Sequence, residues 1–507
     1  MSGIEQFGEL SRAEAEFVAA CQSGESCTLG DGVLPDVQDT SRAVRGELIR
    51  FFVLGGSEET PLHERGIALH GAMISGHLDL SGSNSDCDLI LNNCIFRRRP
   101  LMLGTRLRSC DLTGSKCPGF DAEGLTVERA LILGPGFEAN GTVRLVRARI
   151  GADLDCTGAR FECPDGDALN GDGAEIGGSI FLRGQKSGPV FASHGTVRFV
   201  SVGVGDSIIL QDAWLDSGDR KYALSLALAQ VQRQLTLKSF EKFSGRLNLS
   251  GVTAYSLDDD PAEAQSPKDL ILNGFTYVHF SGKAPLDAAL RLEWLSRQKP
   301  SAYGQDFWPQ PYGQLAKVYS DTGHEADARQ VLIEKERLQG RVAFSLAQRQ
   351  GRAFRALQIW LGDQIMRRLI GYGYRPQRSL AVLFAILAAT SLFFHLTWKA
   401  GDMAPSAAPV LVSQGWADAL AADSKHTAAY WGTTPAGQDY ETFHPVAYAF
   451  DLFVPLVDLG QESAWSPSTE RGPLGRVGWW LRWLLEIVGW VVTAVAAAAV
   501  TGLVRRG

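Results

Sequence analysis

A short phrase recurs along the first half of this 507-residue chain. The segment GTVRLVRARIGADLDC begins at Gly141, and GTVRFVSVGVGDSIIL begins at Gly195, which lies 54 residues later. Between them, Ala174 of AEIGGSIFLRG aligns with Ala148 at an offset of 26 residues, so the 54 residues hold two units. A repeat of this length indicates small structural units that stack on one another and share a continuous core.

Each unit contains an alternating apolar pair that is closed by a glycine. Side chains alternate between the two faces of a strand, so both apolar residues of a pair point to the same face. A strand this short cannot bury that face alone, whereas stacked coils can. The pairs are Leu78-x-Leu80-x-Gly82, Leu154-x-Cys156-x-Gly158, Ile180-x-Leu182-x-Gly184 and Leu247-x-Leu249-x-Gly251. Residues 65–282 are therefore predicted to form a right-handed parallel β-helix in a mainly β protein, and a β-sandwich is the alternative.

The net charge of the chain argues against one class of partner. A net charge of −7 and a pI near 5.8 provide no overall basic field for phosphates, which argues against a nucleic-acid partner.

Three cysteine pairs recur at a spacing of seven residues: Cys87 and Cys94, Cys110 and Cys117, and Cys156 and Cys163. Cysteine often behaves as a small buried apolar residue, so we expect these side chains to stack unpaired inside the β-helix rather than form disulfides.

Helical segments are predicted on both sides of the repeat. Residues 1–64 are expected to form an N-terminal helical cap, because Ser11 and Glu14 have the spacing of a capping box. Residues 283–342 are expected to form a helix-turn-helix segment that is similar to a tetratricopeptide unit. Its first helix is predicted to present Leu286, Leu290 and Trp294 on one face. The following pair of helices is predicted from the stripes Tyr312, Leu315, Ala316, Tyr319 and Ala328, Val331, Leu332, with Gly323 at the turn.

Residues 343–376 are basic and amphipathic. Such a segment is typical of a membrane surface with anionic headgroups, and a solvated charged helix is the alternative. The basic residues that carry this prediction are Arg349, Arg352, Arg355, Arg367, Arg368, Arg375 and Arg378.

The last third of the chain predicts a transmembrane hairpin. Residues 377–399 and 478–507 are assigned as two transmembrane helices, because 380–398 carries no formal charge and 484–504 carries only Glu486, which Arg482 could neutralise. The basic residues that flank both helices predict that both termini lie on the cytoplasmic side of the membrane. Residues 400–477 would then form an extracytoplasmic loop.

Within that loop, 446–465 is apolar but too short to span a bilayer. It could be a re-entrant segment, and Asp451, Asp458, Gly460 and Glu462 are its candidate functional residues. Two spans around such a segment suggest a channel gated by the β-helix as an alternative function, although the TVGYG-type filter of potassium channels is missing.

The phrases VRLVRARIGADLDCTGARF and ALNGDGAEIGGSIFLRG resemble a family of bacterial proteins that is related to the pentapeptide-repeat group. The resemblance covers most of residues 65–505, and it implies a β-helical region joined to C-terminal membrane helices. Some relatives are labelled membrane-associated oxidoreductases, which makes a redox enzyme a further alternative. The residues carry no dinucleotide, flavin or haem signature, so no cofactor is predicted.

The other groups of polar residues do not have the spacing of a metal site. His63, His70 and His77 are spaced by seven residues but lack a further ligand at metal-binding spacing. The sequence as a whole therefore predicts a non-enzymatic interaction platform or sensor on the bacterial inner membrane. Its predicted partners are the lipid bilayer, a protein and a second copy of the chain.

Overall fold

A computed structural model of the protein describes residues 3–36, 39–365, 376–454 and 457–500. Side chains are described in the same ranges except at 365, 376–380, 382 and 494–500. The chain divides into two units, Met1–Val342 and Ala343–Gly507.

The first unit is built on a parallel β-solenoid of about nine turns within the described residues. The part of this fold prediction that concerns the β-helix is thus confirmed. The strands are Cys27–Thr28 (β1), Ala43–Arg45 (β2), Ile67–His70 (β3), Met73–Ser75 (β4), Asp88–Asn92 (β5), Ile95–Phe96 (β6), Arg106–Leu107 (β7), Ser109–Asp111 (β8), Lys116–Cys117 (β9), Phe120–Asp121 (β10), Thr126–Val127 (β11), Leu131–Ile132 (β12), Glu138–Asn140 (β13), Val143–Arg144 (β14), Arg149–Ile150 (β15), Leu154–Asp155 (β16), Arg160–Asn170 (β17), Glu175–Ile176 (β18), Ile180–Arg183 (β19), Phe191–Arg198 (β20), Gly203–Val204 (β21), Ile208–Asp216 (β22), Tyr222–Ser225 (β23), Gln230–Ser244 (β24), Arg246–Asn248 (β25), Thr253–Asp259 (β26), Leu270–Ile271 (β27) and His279–Phe280 (β28).

Successive coils pair in register, as the repeat offsets predict. Val143 pairs with Leu169, and Leu169 pairs with Val197, so the 54-residue offset does span two coils. The inward residues of one ladder stack from Leu131 through Leu154 to Ile180, all fully buried. Apolar stacking of this kind removes every inward side chain from water and holds the solenoid together.

A column of phenylalanines fills one corner of the solenoid interior. Phe120, Phe137, Phe161 and Phe191 are all buried, and their neighbouring ring centroids lie 6.4, 5.9 and 5.8 Å apart. These distances fall in the range for favourable edge-to-face and tilted aromatic pairs.

The N-terminal end of the solenoid is packed against two helices, Arg12–Ser23 (α1) and Gly46–Val53 (α2). The capping box is confirmed: the Ser11 hydroxyl accepts a hydrogen bond from the Glu14 amide, and the Glu14 carboxylate accepts one from the Ser11 amide. The same carboxylate accepts from the Arg45 guanidinium at 2.6 Å, which ties α1 to β2. Phe17 and Phe52 pack edge to face with their ring centroids 5.7 Å apart.

At the other end, helices Ala288–Ser296 (α3), Gln310–Asp321 (α4) and Glu325–Arg349 (α5) follow the last strand. The predicted stripe of α3 is confirmed only at Trp294, which is buried, because the helix starts two residues after the exposed Leu286 and Leu290 is half-buried. The buried face is instead formed by Ala288, Arg291, Trp294 and Leu295. The buried face of α3 thus includes a charged residue that the apolar stripe did not predict.

Arg291 is fully buried between α3 and the last coils. Its guanidinium donates to the Asp259 carboxylate at 2.7 Å and to the Pro285 carbonyl at 2.9 Å, and it lies 4.1 Å from the centroid of the Phe280 ring. Asp259 is 6% exposed. A buried charge is tolerated only when it is paired, so each partner requires the other.

Two glutamines of α4 pair with the open backbone edge of the last coil. The Gln310 side-chain amide accepts from the Gly274 N–H at 2.7 Å and donates to the Phe275 carbonyl at 3.0 Å. The Gln314 amide donates to the Tyr277 carbonyl at 2.6 Å. Unpaired backbone groups at a sheet edge favour aggregation, and these side chains satisfy them.

The second unit contains the helices Ala353–Ile365 (α6), Pro376–Lys399 (α7), Ala408–Leu411 (α8), Gln414–Ala422 (α9), Thr427–Trp431 (α10), Pro435–Gln438 (α11), Pro445–Phe453 (α12), Gln461–Ala464 (α13) and Pro473–Val500 (α14). Two strands, Met403–Pro405 (β29) and Trp465–Pro467 (β30), pair antiparallel. A small aromatic core includes Phe394 of α7, Tyr448 of α12, Trp465 of β30 and Leu485 of α14.

The predicted transmembrane hairpin is wrong. Among the described residues, none of the helices combines the length and the apolar character that crossing a membrane requires. The prediction for 380–398 considered only formal charge and left out the polar side chains of Thr390, His395 and Thr397. The second predicted span, in α14, carries the charged residues Arg482 and Glu486. The multi-pass inner-membrane location with cytoplasmic termini is contradicted by the same finding, and the channel alternative loses the two spans on which it rested.

Arg291→Ala is expected to destabilise the first unit by about 3–5 kcal/mol, because it leaves the Asp259 carboxylate buried without its partner. Urea unfolding followed by far-UV circular dichroism measures the change. Arg233→Ala is the control, since Arg233 is 74% exposed and its pair with Asp206 is at the surface. Equal unfolding midpoints for the two variants would contradict this account.

Seven of the eight cysteines are buried, and Cys163 is partly exposed. Burial raises the pKa of the Cys94, Cys110 and Cys117 thiols to about 12, which suppresses the reactive thiolate at neutral pH. Mass spectrometry after brief iodoacetamide treatment at pH 7.5 should find one modification in the folded protein, at Cys163, and eight in denaturant. Fast modification of several sites in the folded protein would argue against the stacked arrangement.

Candidate functional site

A groove runs along one face of the solenoid. The face is formed by β7, β11, β15, β18 and β21 and by the start of β24, which pair in parallel from coil to coil. The second residue of each short strand points inward and is buried, as at Ile150 and Ile176. The first residue points outward, as at Arg149 and Glu175. The groove has a volume of about 480 Å³.

Three stacked glycines form the floor of this groove: Gly151, Gly177 and Gly205. A Cβ atom at Gly177 would lie 2.2 Å from the Gly151 carbonyl oxygen, and one at Gly205 would lie 2.2 Å from the Gly177 oxygen. Real Cβ atoms do not approach oxygen this closely, so the backbone path from coil to coil excludes side chains here. The floor is therefore bare backbone across three coils.

Gly203 differs from the floor glycines. It takes the outward position of β21, between Glu175 and Gln230, and a Cβ atom there would meet no atom within 4 Å. The backbone does not demand a glycine at this position. Its effect is to leave the groove open where the preceding coils present Arg149 and Glu175.

The amides of the floor are already hydrogen bonded. The N–H groups of Gly151, Gly177 and Gly205 donate to carbonyls of the preceding coil, each at 2.8 Å. An added strand cannot pair with these amides, so side chains and close van der Waals contact must provide any recognition.

The charged side chains beside the groove form pairs of opposite charge. The Arg106 guanidinium donates to Glu128 at 2.6 Å, and the Arg149 guanidinium lies 3.3 Å from Glu175. Arg149 and Glu175 are 70% and 71% exposed. The side chains of Gln230 and Gln232 line the next coil. The walls thus offer neutral amide groups and paired charges rather than a strong field of one sign.

The groove was not predicted from the sequence, although the sequence carries a signal for it. In three successive units an inward apolar residue is followed directly by glycine, at Ile150-Gly151, Ile176-Gly177 and Val204-Gly205. Glycine in the repeats was interpreted only as the residue that closes each apolar pair. The stacked glycines of the floor instead follow from close approach between coils.

His63, His70 and His77, which share a spacing of seven residues, do not form a group that could hold a metal ion. The Nδ1 atom of His63 accepts from the Arg65 amide at 3.2 Å. Within the parts of the chain that the structure describes, no group of three or more His, Cys, Asp or Glu side chains could hold a metal ion.

The predicted residues of the 446–465 segment have distinct surroundings in the second unit. Asp451 is buried and accepts hydrogen bonds from the amides of Leu459, at 2.7 Å, and Glu462, at 2.9 Å. Asp458 is exposed and accepts from the Gly460 amide at 2.9 Å. Gly460 has a φ of 78°, which glycine adopts without strain. Asp451 therefore holds the loop that carries the other three residues.

The predicted basic surface is only partly described. Arg349, Arg352 and Arg355 are exposed at the end of α5 and the start of α6. Arg367, Arg368 and Arg375 lie outside the described residues, and of Arg378 only the backbone, in α7, is described.

Gly177→Ala and Gly203→Ala test the origin of the groove floor. Gly177→Ala should lower the free energy of unfolding by roughly 1–3 kcal/mol, because its methyl group collides with the Gly151 carbonyl. Gly203→Ala should leave it unchanged or raise it by up to about 1 kcal/mol. Denaturant unfolding of both variants measures the difference. The opposite order would show that the backbone does not force glycine at the floor.

Comparison of the chain with protein-family models, with curated proteins and with solved structures found no match in any of the three.

Proposed function

We propose that the solenoid is a non-catalytic interaction platform and that its groove binds an extended polypeptide segment of a partner protein. The observation that carries the proposal is the bare floor formed by Gly151, Gly177 and Gly205, with polar walls beside it. A flat strip of backbone lets an elongated ligand approach closely, which a surface covered by side chains would prevent.

The length of the groove suits an extended peptide. It reaches from Thr126 in β11 to Gln232 in β24, which covers five coils. Coils are spaced by about 4.8 Å, so the groove is roughly 19 Å long, and about six residues of an extended chain at ~3.3 Å each would occupy it.

The wall chemistry also favours a peptide. The amides of Gln230 and Gln232 can each donate and accept hydrogen bonds, which matches the alternating donors and acceptors of a peptide backbone. The exposed pair of Arg149 and Glu175 can interact with partner side chains of either charge. A polyanion would gain little here, because the basic residues of the walls are already paired with carboxylates.

The experiment selects ligands for the full chain from a displayed library of random octapeptides and compares variants. Gly203→Trp places an indole in the groove without a backbone clash and should weaken the selected peptides at least tenfold, or by about 1.4 kcal/mol. Arg160→Trp is the matched control, because Arg160 is 61% exposed on another ladder of the solenoid. It should bind like the unmodified chain.

Two results would overturn the proposal. One is a selection in which no peptide depends on Gly203. The other is binding of an oligosaccharide array that Gly203→Trp abolishes, because the groove would then be a glycan site. Circular dichroism of both tryptophan variants checks that the solenoid is intact.

A further inference from the structure

The solenoid exposes few large apolar side chains. Within residues 65–282, all of which the structure describes, the exposed ones are Leu103, Leu228, Tyr255 and Val278. Tyr255 is 56% exposed and Val278 is 52% exposed. A single exposed apolar residue is common at a protein surface, whereas neighbouring ones that form a patch indicate a binding surface.

Tyr255 and Val278 continue the column of the groove floor beyond Gln232. The register of β24 and β26 pairs Val231 with Ala254, the inward residues that precede Gln232 and Tyr255. The Val278 N–H donates to the Tyr255 carbonyl at 3.0 Å, so Val278 lies on the next coil in the same column. Glycine occupies this column in three coils of the groove, and large apolar side chains occupy it beyond the end of the groove.

The Tyr255 ring is held in place by a neighbouring ring. It packs edge to face against the His279 imidazole, with ring centroids 5.0 Å apart and an angle of 76° between the planes. His279 is half-buried in β28 and pairs with Ser256 of β26. An ordered and exposed aromatic ring offers contact area at a low cost in conformational entropy.

The two ends of the groove therefore differ in chemistry. At the end nearest the N-terminal coils, Glu128 lines the groove and pairs with Arg106, and both side chains are exposed. At the other end, Tyr255 and Val278 offer apolar surface. A ligand with an apolar side chain at one end only would gain more from binding in one orientation than in the other.

We infer that Tyr255 and Val278 form an apolar subsite that receives an aromatic or branched apolar side chain of the extended segment bound in the groove. This subsite depends on the proposed peptide groove, and it adds the chemistry of the bound segment. The groove accommodates about six extended residues and each further coil adds about 4.8 Å, so the seventh or eighth residue reaches the subsite. The apolar side chain thus lies at the end of the segment nearest the C-terminal coils.

The test uses the full chain and octapeptides selected from a random library for binding that Gly203→Trp weakens. These peptides should carry an aromatic or branched apolar residue at one end. Tyr255→Ser should weaken their binding about tenfold, because that residue loses its contact with the ring. Leu54→Ser is the control, since Leu54 is 53% exposed at the end of α2, and it should leave the affinity unchanged. Fluorescence anisotropy of labelled peptides measures the affinities.

A double-mutant comparison links the subsite to one peptide residue. Replacement of the terminal apolar residue by alanine should weaken binding as much as Tyr255→Ser does, and the two changes together should add little more. Tyr255→Phe should retain the affinity, because the ring makes the contact. Val278→Thr keeps the β-branched shape but adds a hydroxyl, and it should weaken binding about threefold.

The possible failures are distinguishable. Peptides that depend on Gly203 but bind Tyr255→Ser as tightly as the unmodified chain would overturn the subsite and leave the groove proposal standing. A selection in which no peptide depends on Gly203 would overturn both. A dimer in sedimentation velocity that Tyr255→Ser dissociates, with peptide affinity unchanged, would overturn the subsite and show that the patch joins two copies of the chain. Circular dichroism checks that each variant retains the solenoid.

Discussion

Hydrogen bonding between successive coils is the constraint on which the solenoid depends. It fixes the spacing of the coils at about 4.8 Å, and it aligns equivalent residues above one another. Inward positions must then be apolar in every coil, as in the stack from Leu131 to Ile180. Where the backbone of one coil approaches the carbonyls of the last, as at Gly177, a side chain cannot fit. The core and the groove floor thus have the same physical origin.

The two ends of the solenoid require different solutions, because coil-to-coil pairing stops there. At the N-terminal end, the Glu14 carboxylate accepts from the Ser11 amide in the cap of α1 and also pairs with Arg45 of β2. At the C-terminal end, Gln310 hydrogen bonds the open backbone edge, and Arg291 pairs with Asp259 beneath α3. Polar side chains terminate the stack because they satisfy backbone groups that water would otherwise have to reach.

The sequence pattern correctly predicted the structural features that depend on nearby or regularly repeated residues. The offset of 26 residues gave the pairing of Val143 with Leu169, and the spacing of Ser11 and Glu14 gave the cap of α1. The prediction of a membrane span failed because formal charge was its criterion. The segment 380–398 carries no formal charge but does contain hydroxyl and imidazole groups. The buried pair of Arg291 and Asp259 could not be predicted, because the two residues lie 32 positions apart and meet only when α3 packs on the last coils.

The glycine floor is proposed to receive an extended peptide of a partner protein. The most direct measurement is photo-cross-linking of the full chain with a selected octapeptide that carries a diazirine at one end, followed by mass spectrometry. If the peptide binds there, cross-links are expected at the groove residues 126–128, 149–151, 175–177, 203–205, 230 and 232. Cross-links confined to the ladder at 143–144, 169–170 and 197–198, or to residues 343–507, would contradict it.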